Sequence, residues 1–157
     1  MSIFKADKKF EKFEDVTPEL LKKEGVKLLL CDLDNTLRLH SEKEPADELA
    51  DWIDECRKAG VKIVIVSNNG RKKMMQKFCE PIKVPCVWWA KKPMSTKLTE
   101  AIQKYGFKPS ETVMLGDKWS TDVLAAKFAK IQRPALRRAH ERLRYLPLVQ
   151  VTGLEPA

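Results

Sequence analysis

The chain has only two histidines and four cysteines in 157 residues, and no two cysteines stand in a C-x-x-C spacing. That lack argues against a zinc site, and Cys31 and Cys86, set inside apolar runs, read as free buried thiols rather than parts of a disulfide framework. No apolar stretch approaches the ~18 residues of a membrane-spanning helix. The opening MSIFKADKKFEKFED is too charged for a signal peptide, so a cytoplasmic protein is expected. Repeats, low-complexity tracts and linkers are also missing, and the length suits one domain over 1–157.

What is abundant is positive charge, a formal +8. It is uneven, because the residues after Asp122 carry seven Lys or Arg against Glu141 and Glu155. Such a surface suits anionic lipid or a solvated helix face. No aromatic-rich groove or recognition motif accompanies it, so no nucleic-acid partner is expected.

Apolar runs and amphipathic stretches alternate. Strands are expected at Val26 to Asp32, Val61 to Ser67, Cys86 to Ala90 and Thr112 to Asp117. Helices are expected at Pro45 to Ala59, closing on Gly60, at Arg71 to Cys79, and at Met94 to Tyr105, closing on Gly106. This order predicts an α/β fold, a Rossmann-like parallel sheet flanked by helices. Ligands in such sheets bind beyond the carboxyl ends of the strands. The polar residues fall there: Asp32 and Asp34, then Ser67, Asn68 and Asn69, then Lys91 and Lys92, then Asp117.

Three carboxylates around one pocket repel one another unless a cation neutralises them, and hard carboxylate oxygens favour Mg2+. Magnesium bound through a few carboxylates points to phosphoryl chemistry on a phosphate ester. The Ser67 hydroxyl, nearby backbone N–H groups and a lysine suit the phosphate oxygens, and a carboxylate facing phosphorus can attack it to give an aspartyl-phosphate. His40 and His140 lie outside this pattern, so no Ser/His or Cys/His constellation competes.

DLDNTL, Ser67 after an apolar strand, Lys92 before Pro93, and GDKWSTD from Gly116 to Asp122 together resemble the four motifs of the haloacid dehalogenase (HAD) superfamily of phosphatases. IVIVSNN and AKKP further resemble its subfamily IIIA, the YqeG type, related to phosphatidylglycerophosphate phosphatases. The resemblance covers Val26 to about Ala126 and implies roles residue by residue. Asp32 would be the nucleophile, and Asp34 the general acid and then the base. Asp32, the Asp34 backbone carbonyl and Asp117 would hold Mg2+, with Asp122 supporting them. Ser67 and Asn68 would bind substrate, and Lys92 would neutralise its phosphate and orient Asp32, with Lys91 as the rival lysine.

Between Thr36 and the second strand there is no length for a cap domain. An open site admits a large leaving group, which makes phosphatidylglycerophosphate a reasonable substrate and the inner face of the membrane a peripheral partner. The basic C-terminal segment would rest on the leaflet, and the amphipathic Ile3, Phe4, Phe10 and Phe13 segment could join it, but core packing beneath the sheet is the favoured reading for the phenylalanines. Trp88 and Trp89 read as strand rather than as a membrane belt. Beyond motif four the chain departs from the family: Ala126 and Lys127 stand at the usual turn, a basic helix is expected from Pro134 where relatives have a strand, and Leu148 to Val151 offer a displaced strand. Two alternatives remain, a phosphatase of soluble nucleotide, sugar or protein phosphates, and a phosphoacceptor or binding module. Asp34 favours turnover over storage.

Overall fold

The computed structural model describes residues 9–38, 42–116, 126, 128–131 and 136–138. Six parallel strands form one sheet: β1 (Lys9–Phe10), β2 (Leu28–Cys31), β3 (Lys62–Val66), β4 (Cys86–Val87), β5 (Thr112–Gly116) and β6 (Leu136–Arg138), in the spatial order β1-β6-β5-β2-β3-β4. Four α-helices are described, α1 (Pro18–Lys23), α2 (Asp47–Lys58), α3 (Lys72–Cys79) and α4 (Thr96–Lys104). The expected α/β fold is the observed one.

Both faces of the sheet are covered, which is why its strands read as continuous apolar runs. Leu29 and Cys31, Ile63 and Ile65, and Val113 and Leu115 belong to one core with Leu21, Trp52 and Phe78. The alternate residues Leu28, Leu30, Val64, Val66 and Met114 belong to the other, with Leu98, Ile102 and Ala126. Gly60 (φ +83°) and Gly106 (φ +76°) adopt the left-handed conformation that ends α2 and α4. Register then fixes the rim: Cys31 is level with Ile65 on β3 and Leu115 on β5. From β2 the chain winds to β3 and β4, then returns to β5 on the other side of β2. The sheet therefore reverses its winding at β2, where a crevice opens beyond the strand ends.

Three expectations need correction. The third strand stops at Val87, and Trp89 and Lys91 turn the chain with φ of 54° and 56°. The basic tail forms a strand at Leu136–Arg138 rather than a helix there, because pairing with Leu115 and Gly116 on the open edge of β5 outweighs local preference. Ala126 is helical, and the turn comes at Lys130 (φ 60°), whose neighbour Ile131 donates its N–H to the Ala126 carbonyl. The expected core packing of the phenylalanines holds where they are described: Phe13 is buried against Trp52 and Phe10 packs on the same core. Ile3, Phe4, His40, Lys127, Pro134, His140 and Leu148 to Val151 lie outside the described residues. Helix α1 and strand β1 were not anticipated.

All four cysteines are free thiols, but their surroundings separate them. Burial pushes Cys31 up and Cys56 up to about 12. A thiol–thiol hydrogen bond raises Cys79 and lowers its partner Cys86 to about 7, and Cys86 lines a cavity of about 290 Å3 with Trp88, Lys97 and Tyr105. The thiolate is the reactive form, so Cys86 becomes reactive as pH rises through neutrality. Iodoacetamide labelling from about pH 5 to 9, mapped by peptide mass spectrometry, should modify Cys86 first, at a rate that is half-maximal near pH 7. Earlier labelling of Cys31 or Cys56 would contradict this.

Candidate active site

Strand β2 ends at Cys31, and the Asp32 N–H still pairs with the Leu115 carbonyl (2.9 Å). Asp32 is thus carried on the sheet itself at the point where its winding reverses. The chain then folds into a tight turn, with the N–H groups of Thr36, Leu37 and Arg38 donating to the Leu33 carbonyl and Asn35 left-handed at φ 62°. This turn brings Arg38 back onto Asp34. Arg38 Nε and Nη2 donate to Asp34 Oδ1 at 2.8 and 2.7 Å, while Nη1 donates to the Glu42 carbonyl at 2.9 Å. The guanidinium also lies 5.0 Å from the Phe78 ring centroid. Asn69 Nδ2 donates to Asp34 Oδ2 (3.3 Å), so the carboxylate is held from both sides.

Lys92 reaches the same place from the loop after β4. Its side chain is 1% exposed, and Nζ stands 3.0 Å from Asp32 Oδ1, itself on a side chain 14% exposed. A bare ammonium at such depth costs several kcal/mol, an effect offset by its carboxylate partner and by positioning of the backbone. Asn68 does the positioning: it accepts from the Lys92 N–H (2.7 Å) and donates to the Lys92 carbonyl (3.0 Å). Ser67 is buried one residue past β3, and its Oγ accepts from the Asn69 N–H (3.1 Å). Lys91, in contrast, is exposed, so the geometry distinguishes the two lysines.

Five of the anticipated residues therefore meet at one rim: Asp32, Asp34, Ser67, Asn68 and Lys92. Asp117 and Asp122 lie outside the described residues. Among the described residues no group of three or more His, Cys, Asp or Glu could hold a metal ion. The carboxylates that are described fit a hard cation in kind, being oxygen donors beyond one strand end. Because Arg38 and Asn69 occupy the Asp34 carboxylate, its backbone carbonyl is the better-placed donor. Arg38 was missed by sequence reading. A basic residue four positions after an aspartate, directly behind the Leu37 of a short turn, was the available signal.

The family model for haloacid dehalogenase-like hydrolases matches residues 3–130. The chain belongs to that family. Among curated relatives, the probable phosphatase YqeG of Bacillus subtilis (strain 168) is 37% identical over 109 residues, which are 69% of this chain and 63% of that protein. The similarity thus spans less than two thirds of the relative's length. Two solved structures share the haloacid dehalogenase-like fold. The cobalt-bound deoxy-D-mannose-octulosonate 8-phosphate phosphatase of Haemophilus influenzae superposes with a TM-score of 0.56 at 18% identity, covering 66% of this chain and 65% of the other. A hypothetical protein from Xanthomonas campestris gives 0.57 at 14% identity, covering 85% and 77%.

The Arg38–Asp34 pair has a direct test. Arg38→Met removes a charge-paired guanidinium whose side chain is 3% exposed, and should lower stability by about 3 kcal/mol in urea unfolding. Arg38→Lys, which keeps charge without the planar fork, should fall between. Wild-type stability in the Met variant would show that the pair does not hold the turn.

Proposed function

We propose that this chain is a Mg2+-dependent phosphomonoester hydrolase that works through an aspartyl-phosphate on Asp32, and that its substrate is phosphatidylglycerophosphate. The observation that carries the reading is the buried Lys92 ammonium 3.0 Å from Asp32 Oδ1, beside Ser67 and Asp34 at one rim. A relative bearing the name probable phosphatase supports the activity.

In this reading the chemistry divides among the following residues. An Asp32 carboxylate oxygen attacks phosphorus in line, and the bond from phosphorus to the ester oxygen breaks. Asp34 gives its proton to the departing alkoxide. It then takes a proton from water, whose oxygen attacks the same phosphorus and releases Asp32 and inorganic phosphate. Ser67 donates its hydroxyl to a phosphate oxygen, and Lys92 balances charge while keeping Asp32 oriented. Asn68 acts through Lys92. Mg2+, held by Asp32, the Asp34 carbonyl and Asp117 with Asp122 behind them, would supply charge neutralisation for the transferring phosphoryl group.

The lipid assignment draws on the resemblance of IVIVSNN and AKKP to the YqeG type and on the absence of length for a cap between β2 and β3. No described helix is long and apolar enough to cross a membrane, and we place the lipid substrate in the leaflet that the protein would approach peripherally from the cytoplasm. A phosphoacceptor module is less favoured, since Asp34 stands two residues past the nucleophile, where it can speed hydrolysis.

Phosphate release from phosphatidylglycerophosphate in mixed micelles tests this, with Mg2+ or EDTA, beside a panel of soluble phosphate esters. Asp32→Asn and EDTA should each cut turnover by roughly a thousandfold or more. Activity retained by Asp32→Asn would sink the mechanism. A higher kcat/KM for soluble esters would move the substrate to that class.

A further inference from the structure

Three large apolar side chains are exposed among the described residues, Trp89, Met94 and Phe128. The first two flank Lys92, at 57% and 59% exposure. Single exposed apolar residues need no explanation, but two on the loop that builds an active site form a feature of the rim. Trp89 is also held in place. Its φ of 54° is costly for a bulky side chain, and such conformations persist where the surroundings enforce them. The Trp89 N–H donates to the Asn69 carbonyl and the Ala90 N–H to the Ser67 carbonyl, both at 2.9 Å. Its ring lies on Gly70, where a Cβ would come within 2.5 Å of the ring carbon Cε3. Only glycine leaves room for the indole there.

Positive charge predominates in the two stretches that meet at this indole: residues 67–79 and 86–99 contain seven Lys or Arg and no Asp or Glu, of which Lys92 pairs with Asp32 and Lys97 with Glu100. Arg71 follows Gly70, Lys91 is exposed beside the loop, and the Lys72 ammonium lies 4.9 Å from the centroid of the Trp88 ring. The nearby carboxylates Asp32 and Asp34 are already engaged by Lys92 and Arg38.

We infer that this rim docks on an anionic lipid bilayer, with Trp89 and Met94 entering the boundary between headgroups and acyl chains and Arg71, Lys72 and Lys91 facing lipid phosphates. Tryptophan favours that boundary, and lysine and arginine are drawn to anionic leaflets. A soluble leaving group stacked on Trp89 would explain the indole but not the exposed Arg71, Lys72 and Lys91 near it. The inference extends the lipid-ester reading above, since docking through this rim would bring a headgroup phosphate to Asp32. Trp88 and Trp89 lie past the end of β4, and the inferred docking face is the active-site rim rather than the segment of the interior Phe10 and Phe13.

Sedimentation of the full chain with vesicles of phosphatidylcholine, with and without about 30 mol% phosphatidylglycerol, tests the inference. One variant combines Trp89→Asn, which tolerates the left-handed backbone, with Met94→Ser; a second combines Arg71→Glu with Lys72→Glu. Wild type should bind the anionic vesicles about tenfold more tightly than the neutral ones and lose that advantage in high salt. Each variant should bind at least about tenfold more weakly, with far-UV circular dichroism unchanged. Equal binding by wild type and both variants would place any membrane contact elsewhere and overturn the inference, as would no vesicle binding by wild type. A raised KM of Trp89→Asn/Met94→Ser for a soluble aryl phosphate, with vesicle binding unchanged, would assign Trp89 to the leaving group instead. Micellar phosphatidylglycerophosphate hydrolysed without rim-dependent binding would spare the substrate and remove the docking surface. Rim-dependent binding without that hydrolysis would do the reverse.

Discussion

An ammonium buried beside a carboxylate holds only if the surrounding chain keeps the two groups together, and at Lys92 and Asp32 the chain does so from two directions. Asp32 is fixed by its backbone bond to β5, and Lys92 by the Asn68 amide that grips its N–H and carbonyl. Asn68 sits just past β3, so the pair ties together the ends of β2 and β3 with the loop after β4. Weakening any of these anchors would let solvent reach the ammonium and lower the charge complementarity on which the chemistry rests.

The second carboxylate has its own clamp. Asp34 and Asp32 are like charges separated by one residue, and the protein treats them differently: lysine with one, arginine and asparagine with the other. That division gives two neighbouring side chains of the same type different surroundings, in keeping with the different roles proposed for them. The clamp on Asp34 also reaches the fold, because Arg38 rests on the buried Phe78 of α3.

Much of this was legible because its causes are local. Strands buried on both faces must be apolar throughout, so β2, β3 and β5 stand out in the sequence, and glycines with positive φ mark where α2 and α4 end. Asp32 and Ser67 could be found because each follows such a strand, whereas Lys92, five residues past the two-residue β4, was marked by its place before Pro93 in AKKP. The short strands β1 and β6 could not, since two or three residues carry no periodicity and their pairing comes from the neighbouring strand. Arg38 resembles any surface arginine until the turn folds it onto Asp34. Trp88 and Trp89 read as strand by composition, yet left-handed residues at 89 and 91 turn the loop so that the Lys92 ammonium meets Asp32.

The central claim is that Asp32 carries the phosphoryl group covalently. Rapid quenching of the Asp34→Asn variant with a phosphate ester, followed by borohydride reduction of any acyl phosphate and peptide mass spectrometry, tests it most directly. The account predicts conversion of residue 32 alone to homoserine, dependent on substrate and absent when Asp32→Asn is added. Phosphate released by the wild type with no trapped residue at 32, or with the label at another position, would contradict it.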